Sequence, residues 1–404
     1  MHIINKMIYF ANKYNGKSMN GITSNVVETF LSYGPCTISE LAARSGYSVP
    51  TVTKNLNLLI KDGLVLRQGK TVEERGRQAV IYSINPDHAA FIGVDIKHNE
   101  IILAAIDFSG RQFCQAKIVH TFENTPETLE FICLNIDSFI SDLGVPKELI
   151  KSINVNISGR VNIKTGDSYS IFNFEDLEEP LADTLSVRLG IKTFIDNDTR
   201  AMAYGESREG SCANGKNVIF INAGWGIGMS IISEGHMYYG ADGYAGELGH
   251  INVYNNQVIC HCGKKGCLET EISGRALTRK LQEAFAEGKT SILSSAKEID
   301  EYSIIDAVNK EDALCIDLIE QAGTEMGRQI ANLINIFNPD TVVVGGSLLG
   351  AGDFYFQPLT QAVRKYSLRL LNKNVKILKS TLGEQAGVRG ACLIARKNYV
   401  SLTF

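Results

Sequence analysis

Three cysteines within eight residues, preceded by a histidine, constrain the fold of this chain more than any other feature. His250 lies ten residues before the run Cys260-His261-Cys262-Gly263-Lys264-Lys265-Gly266-Cys267. Three thiols and one imidazole form the complete ligand set of a tetrahedral zinc site, and a closed set indicates a structural ion. The two glycines let the loop turn back, so that Cys267 reaches a metal held by Cys260 and Cys262. The alternative is a cluster of free thiols in a mobile loop.

The choice of histidine follows from backbone geometry. In an extended Cys-x-Cys segment the middle side chain projects away from its two neighbours. We therefore expect His250, rather than His261, to complete the site. The prediction is one structural zinc per chain, held by His250, Cys260, Cys262 and Cys267.

The composition of the chain indicates the cellular compartment in which these thiols would stay reduced. The 404 residues are 44% apolar and 21% charged, which is typical of a globular protein of two to four folding units. No apolar run of about eighteen residues occurs, and the opening residues lack a signal-peptide pattern, so we expect neither a membrane span nor export. Nine cysteines in such a chain favour the cytoplasm, where close-spaced thiols bind metal more often than they form disulfides.

Charge is distributed unevenly along the chain. Residues 1–85 carry ten Lys/Arg against five Asp/Glu, a net of +5, whereas the remainder carries 30 against 39, a net of −9. A small basic module on a larger acidic body suggests that the two parts meet different partners. Taken alone, +5 is also an ordinary charge for solvated helices.

The basic segment predicts three short helices followed by a β-hairpin. Thr37 with Glu40 is a capping-box pattern, and Ser48 caps the next helix, which ends at Gly63. Two short helices joined by a tight turn at Gly46 form a helix-turn-helix. Alternating residues over 64–70 and 79–85 predict the two strands of a wing.

The second helix of this motif predicts a DNA-reading surface. Its buried stripe is Val52, Leu56 and Leu59, and the polar residues opposite would face base edges in the major groove. These predicted DNA contacts are Thr51, Thr53, Lys54 and Asn57. Arg75 and Arg77, at the predicted wing tip, suit phosphates or a narrow minor groove. The alternative is a winged helix used only for protein contact or dimerisation.

The acidic body predicts an α/β architecture. A strand hairpin over 91–110 and strand candidates over 152–158, 218–233 and 341–347 alternate with long helical patterns over 126–144, 273–288 and 312–338. About 300 residues is large for one set of layers, so we expect two lobes with a cleft. The predicted domains are a winged helix over 1–85, a first lobe over 86–205 completed by about 380–404, and a second lobe over 206–380 with the zinc loop.

Three carboxylates lie near these features. Glu247 precedes His250 by three residues, and Glu269 follows Cys267 by two, so a bound metal would bring the two carboxylates close together. Paired carboxylates beside an imidazole can bind vicinal hydroxyls through hydrogen bonds. Each could instead be a helix-terminal or solvated charge. Asp198 follows a β-rich run. It either caps a helix or lies at the mouth of the cleft, where it accepts a hydrogen bond from a sugar hydroxyl or removes its proton.

These residues together resemble the ROK family of sugar kinases and sugar-responsive repressors. The resemblance is carried by Gly246-Glu247-Leu248-Gly249-His250, the cysteine loop ending in Glu269, and Asn197-Asp198, and it runs from about Phe91 to the C-terminus. A preceding winged helix resembles the repressor branch, such as xylose and N-acetylglucosamine repressors. The kinship implies an actin-like, hexokinase-type (RNase H-like) fold with two lobes that close on a sugar.

The family pattern also implies which residues contact the sugar. The matching positions are Asn197, Asp198, Glu247, His250 and Glu269, with weaker matches at Gly159, Arg160 and Asn173. By this resemblance His250 binds zinc through one ring nitrogen and sugar through the other. Asp196 and Arg200 depart from the family's commoner glutamate and asparagine, which suggests altered hydroxyl selectivity.

Two phosphate-binding turns of the family's kinases are changed here. The kinase pattern Asp-x-Gly-Gly-Thr reads Asp95-Ile96-Lys97-His98-Asn99, and Gly-Thr-Gly reads Gly224-Trp225-Gly226. Side chains at Lys97 and His98 would crowd a turn whose backbone must approach phosphate closely. We therefore predict no catalytic residue, with Asp198 as a vestigial base position.

Three functions remain from the sequence. The first is a sugar-responsive transcriptional regulator, in the repressing direction, that binds operator DNA as a homodimer or higher homo-oligomer. The second is an ATP-dependent sugar kinase with an appended DNA-binding domain. The third is a sugar-binding scaffold whose winged helix makes only protein contacts.

Overall fold

The computed structural model describes residues 21–72, 78–121, 123–174, 178–213 and 215–404. Contacts between residues divide the chain into two compact units. The first contains the described residues up to Ala201 together with Val388–Phe404, and the second is Met202–Gly387. The winged helix over 1–85, predicted as a domain of its own, groups with the first unit in this division.

The N-terminal segment folds as predicted into three helices and a hairpin. The elements are α1 (Gly21–Tyr33), α2 (Ile38–Ser45), α3 (Val49–Lys61), β1 (Val65–Val72) and β2 (Gln78–Ile84). Both sides of the Thr37–Glu40 capping box form, and Gly46 ends α2 with φ 75°, a left-handed conformation that favours glycine. Ser48 accepts from the Thr51 backbone N–H to start α3.

A five-stranded sheet organises the rest of the first unit. Its strands are β3 (Ala90–Ile96), β4 (Glu100–Asp107), β5 (Gln112–Val119), β6 (Ile150–Ile157) and β9 (Thr193–Asn197). They lie in the order β5-β4-β3-β6-β9, with an antiparallel half (β3–β5) and a parallel half (β3, β6, β9). The predicted hairpin over 91–110 is confirmed, whereas the half-exposed strand β5 was not predicted.

The second unit repeats this arrangement. Its strands are β10 (Val218–Ala223), β11 (Ile227–Ser233), β12 (His236–Tyr238), β13 (Thr341–Gly345) and β14 (Lys376–Lys379). They lie in the order β12-β11-β10-β13-β14, again three antiparallel strands followed by two parallel ones. Numbered within each unit, both sheets read 3-2-1-4-5, which is the duplicated strand order of the predicted actin-like fold.

Helices pack on both sheets. In the first unit they are α4 (Pro126–Asp142), α5 (Leu181–Leu189) and α13 (Ala386–Thr403), and α6 (Asp198–Glu209) starts there. In the second they are α7 (Glu269–Ile272), α8 (Gly274–Ala286), α9 (Glu301–Asn309), α10 (Ala313–Phe337), α11 (Asp353–Tyr366) and α12 (Arg369–Asn372). The helices α10 and α11 pack closely, since a side chain at Gly327 would meet the Leu359 carbonyl.

Shorter elements complete the fold. They are the strands β7 (Val161–Asn162) and β8 (Asp167–Ser168) and the 3₁₀ turns Pro86–His88, Lys147–Leu149, Leu248–His250, Ser347–Ala351 and Gly383–Gln385. Across the described stretches of the chain, we find no helix both long and apolar enough to cross a bilayer.

The winged helix is joined to the first sheet by a hydrogen-bonded connection. Asn85 donates its side-chain N–H to the Gly63 carbonyl at 2.8 Å and its backbone N–H to the Leu64 carbonyl at 2.8 Å. The Phe108 backbone N–H, at the end of β4, donates to the Pro86 carbonyl at 3.2 Å. Both sides of the predicted junction at Asn85-Pro86 are therefore tied to folded elements.

Candidate functional site

The predicted metal ligands lie together in the second unit. The ligand atoms of His250, Cys260, Cys262 and Cys267 all lie within 4.8 Å of one another. The Cys262 and Cys267 sulfurs are 3.7 Å apart, and Cys260 Sγ is 3.6 Å from His250 Nδ1. A tetrahedral zinc with Zn–S about 2.3 Å and Zn–N about 2.0–2.1 Å needs separations of about 3.8 and 3.6 Å. The donor set therefore fits a tetrahedral ion of this size.

Backbone pairing gives the metal loop its shape. The Cys260 backbone N–H donates to the Lys264 carbonyl at 2.8 Å, and the Gly263 N–H donates back to the Cys260 carbonyl at 2.8 Å. Gly266 has φ 77°, and a side chain there would collide with the Tyr254 carbonyl. The second predicted glycine is thus required both for its left-handed backbone and for space.

The two ring nitrogens of His250 face different groups. Nδ1 lies on the cysteine side, whereas Nε2 is 3.7 Å from Glu247 Oε2. His250 ends the 3₁₀ turn Leu248–His250, and Glu247 immediately precedes that turn with an exposed side chain. Nδ1 is therefore available to a metal, whereas Nε2 lies beside the Glu247 carboxylate.

Glu269 is held more tightly than the sequence suggested. Its side chain is buried, Oε2 accepts the Ile227 backbone N–H at 3.0 Å, and Oε1 is 2.9 Å from His261 Nδ1. Burial favours the neutral acid, but the hydrogen bonds from His261 and Ile227 outweigh it and lower the pKa of Glu269. The carboxylate predicted to grip a sugar is thus ionised and fixed in place.

In the first unit, Asn197 and Asp198 lie where β9 meets α6. Asn197 Oδ1 accepts the Arg200 backbone N–H at 3.1 Å, so Asn197 rather than Asp198 caps the helix. Asp198 Oδ2 accepts the Ser158 hydroxyl at 2.8 Å, and Oδ1 accepts the Asn197 side-chain N–H at 2.9 Å. Burial raises the pKa of Asp198 above its ordinary value, against the hydrogen bonds from Ser158 and Thr199.

The weaker family matches divide into two groups. The Gly159 carbonyl accepts the Asn197 side-chain N–H at 2.9 Å, and the Arg160 backbone N–H donates to Ser170 Oγ at 2.9 Å. Gly159 has φ 93°, and a side chain there would collide with Ser170. Asn173 is exposed and follows Phe172, whose left-handed backbone (φ 54°) donates to Asn124 Oδ1 at 2.6 Å. Only Gly159 touches the Asn197–Asp198 segment directly.

The two departures from the family pattern contact each other. Arg200 Nε lies 2.6 Å from Asp196 Oδ1, and a terminal nitrogen of Arg200 donates to the Val161 carbonyl at 3.0 Å. Both side chains are about 95% buried. Asp196 lies in β9 and Arg200 in the first turn of α6, so the pair bridges the strand and the helix. We find here a buried ion pair supporting the segment that carries Asp198.

The turn between β3 and β4 contains no glycine. The Lys97 backbone N–H donates to the Glu100 carbonyl at 2.9 Å, so His98 and Asn99 form a tight two-residue loop. Glu100 is buried and pairs with Lys97 Nζ at 2.8 Å and with Lys117 Nζ. Burial opposes ionisation, but the hydrogen bonds from Lys117 and Lys97 hold the pKa of Glu100 below its usual range. Side chains and an ion pair thus occupy this turn.

The turn between β10 and β11 retains its glycines. The Gly224 N–H donates to the Gly226 carbonyl at 3.1 Å, and the Gly274 N–H, at the start of α8, donates to the Gly224 carbonyl at 2.8 Å. Trp225 is half-buried, and the Arg275 guanidinium lies 5.5 Å from its ring centroid. The Trp225 indole thus stands at the middle position of this turn.

The predicted DNA-reading helix is α3. Lys54 and Asn57 are exposed, and the Thr51 and Thr53 hydroxyls contact Ser48 Oγ at 2.8 Å and the Val49 carbonyl at 2.7 Å. The predicted stripe of Val52, Leu56 and Leu59 is buried. A fourth buried residue, Asn55, was missed; it accepts the Thr23 hydroxyl at 2.8 Å. Arg75 and Arg77 lie outside the described residues.

Comparison with known proteins places both parts of the chain. The profile of the ROK family matches residues 91–398, and a profile described as winged helix-turn-helix DNA-binding matches residues 19–65. The xylose repressor of Caldicellulosiruptor bescii is 27% identical over 358 residues, covering 87% of this chain and 89% of the repressor. A glucokinase of Halalkalibacterium halodurans is 30% identical over 326 residues, covering 77% of this chain and 96% of the kinase.

A solved structure resembles nearly the whole molecule. The crystal structure of a ROK family transcriptional regulator, described as a homologue of the E. coli MLC protein, superimposes with a TM-score of 0.80 at 28% identity. The match covers 95% of this chain and 97% of that one. Since the family profile spans most of the chain, the protein belongs to the ROK family, and it carries an N-terminal winged helix-turn-helix.

Proposed function

We propose that this ROK protein is a sugar-responsive transcriptional regulator that represses by binding operator DNA. The observation that carries the proposal is the joining of a DNA-binding winged helix to a ROK body with ordered carboxylates. The relative named as a xylose repressor has the same extent, whereas the glucokinase matches 77% of this chain. The protein acts in the cytoplasm as a homodimer, so that two winged helices meet a pseudo-palindromic operator.

Operator contact is assigned to α3 and the wing. The exposed Lys54 and Asn57 and the flanking Thr51 and Thr53 read base edges, while Arg75 and Arg77 neutralise phosphates. A phosphate contact contributes a salt-dependent, sequence-independent part of the affinity. A steep decrease of operator affinity with salt therefore distinguishes this function from a scaffold whose winged helix binds only protein.

The proposed sugar contacts form two sets, each described within its own unit. The first set is Asn197 and Asp198, together with the weaker family matches Gly159, Arg160 and Asn173. The second set is Glu247, His250 and Glu269. Ionised or ring-nitrogen acceptors of this kind bind sugar hydroxyls through charge-assisted hydrogen bonds. The relatives are named for different sugars, and the acceptors on this chain do not by themselves select one.

Zinc is the metal that suits the four-donor cluster. One Zn²⁺ held by His250, Cys260, Cys262 and Cys267 would serve as a structural ion that cross-links the loop. Such an ion fixes the ring orientation of His250 and hence the position of Nε2 beside Glu247. The metal thereby orders two of the proposed sugar contacts.

Phosphoryl transfer is disfavoured by the two turns. A kinase must bring backbone N–H groups close to phosphates. Here the first turn contains Lys97, His98 and Asn99, and Lys97 forms an ion pair with the buried Glu100. The second turn has the Trp225 indole at its middle position. The alternative, a sugar kinase with an appended DNA-binding domain, is favoured by Asp198, which is positioned as an acceptor and is held with a raised pKa by burial.

The connection at Asn85 supplies a route from sugar to DNA. Because Asn85 and Pro86 bind both the winged helix and β4, a change in the first unit is transmitted to α3 without a flexible linker. By linkage, a sugar that weakens operator binding must itself bind more weakly to the operator complex, by the same factor.

A paired assay tests the proposal. Thermal shift with D-xylose, D-glucose and N-acetyl-D-glucosamine identifies a sugar that stabilises the folded protein. A coupled ATPase assay with the same sugars then measures turnover. We expect stabilisation by one sugar, its loss in Asp198→Asn, and no sugar-dependent ADP. Turnover abolished by Asp198→Asn would instead establish the kinase alternative. Asp142→Asn, exposed at the end of α4, is the control.

A further inference from the structure

His261 is the histidine of the metal loop that the four-donor cluster does not use. Its ring lies 5.0 Å from that of His250 in an edge-on arrangement, and its side chain is about half exposed. Nδ1 is 2.9 Å from Glu269 Oε1 and 3.8 Å from Cys260 Sγ. A metal in the four-donor cluster would bind the Cys260 thiolate. Glu269 would then be the remaining hydrogen-bond partner of His261 Nδ1.

The surroundings of Glu269 make this contact decisive for its orientation. Oε2 is enclosed: the Ile227 N–H donates to it, and a side chain at Gly226 or Gly249 would lie 3.0 or 3.2 Å from it. In the described part of the chain, the hydrogen-bond partner of the other oxygen, Oε1, is His261. The rotation of the carboxylate is set by the Ile227 N–H at one end and by His261 at the other.

The His261 side chain is about half exposed, and its two ring nitrogens differ in their contacts. Among the described residues no hydrogen bond reaches Nε2, whereas Nδ1 is directed at Glu269. A ring fixed at one nitrogen presents the other with a defined direction, as occurs when a carboxylate orients a histidine. Glu247, His250, Glu269 and His261 all belong to the second unit, so this grouping does not depend on the arrangement of the two units.

We propose that His261 is a positioning and specificity residue of the sugar site: its Nδ1 holds Glu269, and its Nε2 hydrogen-bonds a sugar hydroxyl. The proposal rests on the proposed function, since it adds a residue to the same site. It accounts for a histidine at a position that the metal does not require.

Two variants separate the two roles. His261→Ala removes both nitrogens, whereas His261→Asn keeps an amide N–H close to the position of Nδ1 and lacks a counterpart of Nε2. Lys264→Ala, exposed in the same loop, is the matched control. Affinity is measured by calorimetric titration with D-xylose, D-glucose and N-acetyl-D-glucosamine, and zinc content by elemental analysis.

We expect His261→Ala to weaken sugar binding about 10- to 100-fold, the usual effect of removing a hydrogen bond to a charged group. His261→Asn recovers part of that loss, and zinc content stays at one per chain in every variant. Unchanged affinity in His261→Ala, equal loss in both variants, or loss of zinc would each overturn the proposal.

A sugar-free measurement separates failure of this proposal from failure of the proposed function. In zinc-loaded protein with ¹⁵N-labelled histidine, we expect a slowly exchanging Nδ1–H signal from His261 that shifts in Glu269→Gln. Replacing zinc with ¹¹³Cd should give coupling to His250 and none to His261. Absence of the Nδ1–H signal, or cadmium coupling to His261, contradicts the assignment even if no sugar of the panel binds.

Discussion

The two units of this protein share a strand order but support their proposed ligand residues by different means. In the first unit, a buried ion pair does so: Asp196 pairs with Arg200 on either side of Asn197 and Asp198 in the chain. In the second unit, a metal-binding loop and a glycine turn do so. The same strand order therefore supports proposed ligand residues in two ways: with a buried ion pair, or with a metal-binding loop and close backbone packing.

The largest effect is expected from removing the metal in the second unit. Cys267→Ser deletes one ligand of the four-donor cluster, and loss of a structural metal is among the most destabilising changes known. We expect loss of bound zinc and a decrease of about 4 kcal/mol or more in the free energy of unfolding. Denaturant unfolding with metal analysis measures both. Cys114→Ser, a thiol on β5 outside the cluster, should keep its zinc; zinc retained by Cys267→Ser would contradict the ligand set.

The next effect concerns the buried ion pair of the first unit. Arg200→Asn leaves Asp196 as an uncompensated buried charge, which destabilises by about 3–5 kcal/mol. The double variant with Asp196→Asn should recover much of this loss, and the double-mutant cycle gives the coupling energy. Arg188→Ala breaks two more exposed ion pairs, with Glu130 and Asp137, and should change stability by about 1 kcal/mol or less. Equal losses at Arg188 and Arg200 would contradict a special role for the buried ion pair in the first unit.

A third test uses pH. Burial raises the pKa of Asp95 to about 6, against a hydrogen bond from Asn156. Since the native carboxyl holds its proton more tightly than the unfolded one, the protein loses stability as pH rises from about 4 to 6. Asp95→Asn keeps an acceptor for Asn156, so it should stabilise by about 2–3 kcal/mol at pH 8 and by almost nothing at pH 4. A pH-independent difference would contradict this explanation.

The smallest effect is expected at the glycine turn. Trp225→Thr restores the Gly-Thr-Gly pattern and loses a cation–π contact with Arg275, so we expect about 1 kcal/mol of destabilisation or less. Because the first turn is still filled by Lys97 and its neighbours, the variant should bind no MgATP in calorimetric titration. Binding by this single variant would show that the second turn alone excludes nucleotide.

The sequence predicted most of the fold because its signals were local. Capping at Thr37 and Ser48, the buried stripe of α3, and the hairpin over 91–110 each depend on residues close in the chain. The edge strand β5 was missed because half-exposed alternation next to a turn is a weak signal.

The sequence predicted which residues belong to the candidate site better than it predicted their contacts. Metal-ligand spacing identified the four donors, but pairs that form through tertiary packing were not visible. Asp198 with Ser158 joins residues 40 apart in the chain, which no local pattern reports. The segment from Cys260 to Cys262 is a turn rather than the extended run expected, and it brings His261 Nδ1 to 2.9 Å from Glu269, a contact that no local pattern reports.

The most direct test is the affinity of the protein for DNA from upstream of its own gene, measured by fluorescence anisotropy with and without sugar and MgATP. We predict that one sugar of the panel weakens this affinity at least about tenfold, a typical coupling between sites. The effect should be the same with MgATP present, and the sugar should remain unphosphorylated. DNA affinity indifferent to every sugar, together with conversion of a sugar to its phosphate, would contradict the account.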